Sequence, residues 1–171
     1  MNALARPNAA PVALITGGAR RIGAAIARLL HGAGIDIALH YRASAAAADV
    51  LADEFNRLRP GSATALAAVL GDRASAEALV SATEAHFGRL DILVNNAGTT
   101  RDTLLPMMKE EDWDTVIETN LRGAYLVTKA ALRPMLRQKG GRIIKDADAR
   151  AIGTPDDIIA YLAATKDALD A

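Results

Sequence analysis

An apolar run, Ala13-Leu14-Ile15, stops at Thr16-Gly17-Gly18. Beyond Ala19-Arg20-Arg21 the apolar residues return at helical spacing. This succession constrains the chain more than any other feature in it. Glycine lets backbone approach a ligand that a Cβ would hold off, and the start of the following helix presents unpaired N–H groups at the positive end of its dipole. A glycine turn alone says little. Here it sits inside a strand–turn–helix–strand unit predicted over residues 12–16, 21–31 and 35–41, the setting in which such a turn holds a dinucleotide pyrophosphate. Ile22, Ala25, Ile26, Leu29 and Leu30 share helical spacing and are expected to pack the helix on a sheet. The competing reading is a tight turn with no ligand, for which two arginines make poor structural filler.

The second predicted strand narrows the ligand. A site that reads a ribose 2′-hydroxyl wants an acid near the end of this strand, whereas a 2′-phosphate wants arginine. In Ile37-Ala38-Leu39-His40-Tyr41-Arg42-Ala43-Ser44 no acid stands at the strand end. Arg42 and Ser44 do, with Arg20 and Arg21 across the turn, and guanidinium groups bind a phosphate dianion bidentately. The expected cofactor is therefore NADP(H), with Gly17, Arg20, Arg21, Ile22, Gly23, Tyr41, Arg42 and Ser44 as its binding residues. Solvated surface arginines are the plainer alternative for Arg21 and Arg42.

With these residues in view, the segment 16–23 resembles the cofactor loop of the short-chain dehydrogenase/reductase family. TGGARRIG with HYRAS is similar to its pteridine reductase branch. Asp91-Ile92-Leu93-Val94-Asn95-Asn96-Ala97-Gly98 matches the family's NNAG motif, and residues 99–129 resemble 3-oxoacyl-acyl-carrier-protein reductases more closely. The likeness covers about residues 10–144. It implies that Asn95, Ala97 and Gly98 belong to the adenine-ribose side of the cofactor cleft. It also implies that Asn120 helps hold a catalytic water and lysine, and that the substrate is a small-molecule carbonyl or pterin-like C=N compound. Val69 departs from the pattern, standing where related sequences usually carry an aspartate that reads the adenine.

Composition agrees with one soluble domain: 171 residues, 51% hydrophobic and 23% charged. The formal net charge is zero and the isoelectric point about 6.8, so nothing points to nucleic acid or an anionic membrane. There are no cysteines, hence no disulfide framework and no cysteine metal site. No apolar run reaches membrane-spanning length, and residues 1–11 read as a short disordered lead rather than a secretory signal. Cytoplasm is the default compartment.

Helices are predicted over 45–58, 75–87 and 110–139, the last bent or broken near Gly123 and Pro134. Strands are predicted over 64–70, 90–95 and 141–144. Alternating βα units imply a doubly wound, Rossmann-like three-layer α/β fold. Its parallel sheet would have five to six strands, with the ligand cleft over the strand C-termini. His31, His40 and His86 carry no metal or triad logic and read as packing or surface residues. Asp112 and Asp114 read as capping the long helix and stabilising its dipole rather than as a paired acid and base. An apolar stripe over residues 113–136, together with the long-helix pairing common in the resembled family, implies a homo-oligomer.

After Ile144 the pattern departs from the resembled family, which follows its fifth strand with a serine and then a Tyr-x-x-x-Lys motif. One helical turn places that lysine on the same face as the tyrosine, where its ammonium lowers the hydroxyl's pKa from about 10 toward working pH. Here Asp148 takes the serine's place, and Tyr161 is followed by Lys166 five residues on, a rotation of about 100° on a helix. Two readings stand. In one, the chain is a reductase cut short at Ala171 with an altered catalytic helix, Tyr161 as acid and Lys166 as its partner. In the other, residues 145–171 are a foreign closing βα unit on an engineered or recombined scaffold. Thr154-Pro155-Asp156-Asp157 then starts its helix. Single-domain organisation over 12–171 holds in both.

Overall fold

The computed structural model of the chain describes residues 10–145. Within them, five parallel strands alternate with helices: β1 Val12–Ile15, α1 Arg21–Gly32, β2 Asp36–Tyr41, α2 Ala45–Leu58, β3 Ala63–Ala67, α3 Arg73–Phe87, β4 Ile92–Asn95, α4 Glu110–Ile117, α5 Ala124–Arg137 and β5 Arg142–Lys145. The sheet order is β3-β2-β1-β4-β5. Strand order thus reverses at β1, which lies between β2 and β4, so the loops leaving β1 and β4 open side by side above the sheet.

Alternation along each strand builds two cores. Ala13 and Ile15 of β1, Ile37 and Leu39 of β2, and Ile92 and Val94 of β4 face Ile26, Ala27 and Leu30 of α1 and Leu51 and Phe55 of α2. Leu14, Ala38 and Leu93 point the other way, toward Leu79 and Val80 of α3 and Leu126, Val127 and Met135 of α5. Covering both faces with helices is what requires the strands to read as near-continuous apolar runs. The three-layer architecture read from the pattern is the one observed.

Several boundaries differ from the sequence reading. β3 ends at Ala67, three residues early, because Ala68–Asp72 turn toward α3; Asp72 caps that helix, its carboxylate accepting the Ser75 N–H at 2.7 Å. The long helix expected over 110–139 is interrupted near Gly123 as expected, by a π-helical segment, Glu118–Gly123, that joins two α-helical pieces, whereas Pro134 lies buried inside an unbroken α5. α1 is turned relative to the expected face. Gly23, Ala24, Ile26, Ala27 and Leu30 are buried, and Ile22 and Ala25 are exposed, because the small residues let α1 lie close to the sheet. Asp112 does not cap α4, whose N-cap is Lys109; it lies in the helix's first turn, where its charge favours the dipole, and pairs with Arg101 Nε at 3.3 Å. Most of the predicted lead and the closing unit beyond Lys145 lie outside the described residues.

No helix among the described residues is long and apolar enough to cross a membrane.

Candidate functional site

The loop after β1 is built from backbone constraints. Gly17 adopts φ +64°, a left-handed conformation that side chains rarely take. Its carbonyl lies so near α1 that a Cβ on Gly23 would stand 2.3 Å from it and 2.6 Å from Asn96 Nδ2. Only glycine fits there. Thr16 ties the loop to β4: its hydroxyl donates to Val94 O and accepts the Asn96 and Ala97 amides, each at 3.0 Å. Asn96 Nδ2 in turn donates to Thr16 O at 2.8 Å and Gly17 O at 3.2 Å.

Where α3 has a carboxylate cap, α1 has none. Its N-cap is Arg20, which makes no side-chain hydrogen bond to the first turn. The first-turn amides therefore face the loop mouth without a capping oxygen, as an anion site requires. Arg21 takes φ +50° at this point, a conformation costing a non-glycine residue roughly 1–3 kcal/mol and characteristic of ligand-holding turns.

Above the loop lies a cleft of about 740 Å³. It is lined by the glycine loop on one side, residues 40–44 at the end of β2, residues 68–71 after β3, residues 96–99 after β4, and Thr115, Glu118 and Thr119 from the α4 region. Gly17, Arg20, Arg21, Ile22, Gly23, Tyr41, Arg42, Ser44, Ala97 and Gly98, all expected at the cofactor, line it together. The exposure of Ile22, unexplained as core packing, is explained by this position. Arg20 Nε donates to Ser44 Oγ at 2.9 Å, with a second contact from its Nη2, so these two side chains bridge the loop and the end of β2. Arg21 and Arg42 are exposed and make no hydrogen bond or ion pair to any described residue. Asp36, the acid of β2, stands at the strand's far end and pairs with Arg59. Val69 is exposed on the wall after β3.

Two expected residues are placed otherwise. Asn95 does not line the cleft. It is buried at the end of β4, with Nδ2 donating to Thr128 Oγ1 at 3.0 Å and Oδ1 without a partner among the described residues. Alternation along the strand turns it toward α5, and Asn96, just past the strand, meets the loop. Asn120, in the π-helical segment, is outside the cleft lining; its amide is spent on the Thr99 backbone, accepting its N–H at 2.8 Å and donating to its carbonyl at 2.9 Å. It braces the segment after β4 against that helix. Tyr161, Lys166 and Asp148 lie outside the described residues.

His40 is the residue that sequence reasoning undervalued. It is buried, and both ring nitrogens are engaged: Nδ1 accepts the Gly17 N–H at 3.0 Å, and Nε2 faces Ala68 O at 3.2 Å. Burial pushes its pKa below the ordinary 6.5, against a smaller opposing effect of the Ala68 carbonyl. Its place in the HYR segment was the available signal, but nothing local says which way a strand residue points. His31 is buried against Ser62 Oγ and stacked on Phe55, and His86 is exposed beside Phe87.

A parallel sheet with helices on both faces, a glycine loop after its first strand and a cleft at the strand reversal defines the chain as a Rossmann-like α/β domain. The chain belongs to the short chain dehydrogenase family, whose model matches residues 11–171. It is similar to proteins named 3-oxoacyl-acyl-carrier-protein reductase. Identity is 46% over 135 residues with that of Synechocystis sp. (79% of this chain, 54% of the relative). It is 40% over 144 residues with that of Staphylococcus aureus (84% and 58%). With that of Escherichia coli K12 it is 41% over 133 residues (78% and 52%). The chain thus spans about half the length of the curated relatives it matches.

Proposed function

We propose that this chain is an NADP(H)-binding dehydrogenase/reductase domain whose inherited chemistry is reduction of a small-molecule carbonyl or pterin-like C=N compound. The observation that carries the reading is the meeting of the Gly17–Gly23 cradle with Arg20, Arg21, Arg42 and Ser44 at the ends of β1 and β2, with no acid at the end of β2. The cradle and the uncapped start of α1 fit the pyrophosphate, and the guanidinium groups of Arg21 and Arg42, which pair with no described residue, fit a 2′-phosphate. Among carbonyls, the 3-oxoacyl thioester class is favoured by the relatives' names.

The nicotinamide, when bound, supplies or accepts a hydride. What the chain must add is a proton donor at the substrate oxygen. The family pattern would give that role to Tyr161, with a lysine to lower its hydroxyl's pKa, for which Lys166 is the candidate, and Asn120 to help hold a water. On a helix, the five-residue spacing would turn Lys166 away from Tyr161 by about 100°. A lysine so placed would not assist Tyr161 as a proton donor, a loss of roughly 10²–10⁴-fold in rate. Asp148 stands in the sequence where the family pattern has serine, and a carboxylate at that position would oppose the negative charge that develops on the reacting oxygen. The activity proposed is therefore impaired.

The second reading is a catalytically silent dinucleotide-binding domain or chimeric scaffold, favoured by those same two positions. The apolar row Trp113, Ile117, Leu121 and Tyr125 is exposed, Leu121 at 65%. It supports a homo-oligomer in which a second copy covers this face.

Titration with NADPH and NADH, followed by calorimetry or fluorescence, tests the binding reading. Tighter NADPH binding is expected, and equal affinities would sink the cofactor assignment. NADPH oxidation with 3-oxoacyl thioesters, quinones, simple ketones and dihydropterins tests catalysis. Turnover at ordinary enzyme rates that vanishes in Tyr161→Phe would overturn the claim of impairment.

A further inference from the structure

We infer that His40 is a positioning residue for the bound dinucleotide. Its neutral ring holds the Gly17 amide, and with it the left-handed glycine turn, in the shape that receives the pyrophosphate. The inference rests on the dinucleotide reading proposed above and adds to it a residue outside the usual glycine and arginine contacts.

The geometry sets the ring's chemistry. A backbone N–H can only donate, so the Gly17 N–H at 3.0 Å makes Nδ1 an acceptor without a proton. The proton then sits on Nε2, which donates to Ala68 O at 3.2 Å. Both ring atoms are thus satisfied in one neutral tautomer, and in no other. The same residue's backbone carbonyl accepts the Gly18 N–H at 3.0 Å. One residue of β2 therefore fixes two consecutive amides of the loop.

The loop is clamped from both flanking strands. Asn96, after β4, takes the Gly17 carbonyl, and His40, on β2, takes the Gly17 N–H. Between them they orient both peptide groups of the residue at φ +64°. There is little slack, because Gly17 O already lies where a Cβ on Gly23 would collide with it. Through Ala68 the ring also joins the phosphate turn to the wall after β3, two sides of the cleft that no backbone ladder connects directly. At 2% exposure the residue acts through the turn it holds.

Three variants separate this role from simple packing. His40→Asn places an amide oxygen where Nδ1 stands and keeps the acceptor for Gly17. His40→Gln reaches toward Ala68 but leaves the Gly17 amide unmatched, and His40→Leu keeps bulk while losing both bonds. A buried amide left without its acceptor is expected to weaken binding about tenfold. The loss in His40→Leu and His40→Gln should be equal for NADPH and NADH, since the turn serves the shared pyrophosphate. His40→Asn should restore affinity to within a few-fold of the parent. Should His40→Leu fail to fold, His40→Gln carries the comparison.

Independently of any ligand, 15N NMR of the unliganded protein at neutral pH should show His40 neutral and protonated on Nε2. A ring protonated on Nδ1, equal losses in the Asn and Gln variants, or a loss confined to NADPH would each overturn the inference alone. A parent chain that binds neither cofactor would overturn it together with the proposed function.

Discussion

Gly23→Ala sets intrinsic helix propensity against the observed packing, and the two predict opposite signs. Gly23 lies in the first turn of α1, where exchanging glycine for alanine normally stabilises a helix by about 0.5–1 kcal/mol. The added methyl, however, would stand 2.3 Å from Gly17 O, 2.6 Å from Asn96 Nδ2 and 3.0 Å from Gly17 C. Ordinary contact begins near 3.4 Å, so the glycine loop must move by about 1 Å against its bonds to Asn96 and His40. Overpacking of this kind costs roughly 1–3 kcal/mol, which exceeds the propensity gain. At about 2–4 °C per kcal/mol for a domain of this size, the thermal midpoint falls by several degrees. The loop carries the first-turn amides with it. Losing one charge-assisted bond to phosphate, worth about 1.5–3 kcal/mol, weakens NADPH and NADH alike by at least about tenfold. Gly32→Ala, at the other end of the same helix with nothing within 4 Å, is the control and should leave both affinities unchanged. Calorimetric melting and cofactor titration of the two variants decide the matter. A Gly23→Ala protein that melts no lower than the parent and binds as tightly would refute the reasoning.

Other outcomes follow from the same geometry. Arg42→Asp should weaken NADPH by tenfold or more, about 1.5–3 kcal/mol, and spare NADH; an equal loss for both in paired titrations would remove Arg42 from the 2′-phosphate site. His40 and His31 both have folded pKa values below their ordinary 6.5, the first through burial, the second through burial and then the nearby Arg59 charge. The unfolded chain therefore takes up their protons first. Stability should hold above about pH 6.5 and fall below it, by at most about 1.4 kcal/mol per pH unit for each group, until the depressed values are passed. Denaturant titrations from pH 7.5 to 5 check this, and His40→Asn should flatten the slope. Leu121→Glu on the exposed row should shift sedimentation at micromolar concentration from a dimer or larger species toward monomer; a parent already monomeric would dismiss the proposed assembly.

How much could be read from the chain depended on the range of the forces involved. Strand and helix identities follow from apolar spacing over a few residues, and the glycine turn announces itself within a single loop. The cleft residues from Gly17 to Gly23 and from Tyr41 to Ser44 were legible for that reason, since each set sits on one βα unit. Orientation was not. Asn95 and Asn96 are adjacent in one motif, yet the pleat of β4 buries the first against Thr128 and aims the second at Gly17, about 80 residues away in sequence. The face of α1 is not legible in its spacing, because the sheet selects its small residues, Gly23, Ala24 and Ala27, over the larger Ile22. The π-helical step at Glu118–Gly123 and the pairing of Asn120 with Thr99 depend on where the segment after β4 comes to lie.

The sequence by itself determined the βα units, the phosphate turn and the absence of an acid at the end of β2, because local sterics and hydrogen-bonding capacity decide these. Only the tertiary structure decided that β1 runs between β2 and β4, since long-range pairing depends on burying both faces of the sheet at once. That placement brings His40 and Asn96 to opposite sides of Gly17 and turns a flexible glycine loop into a fixed one.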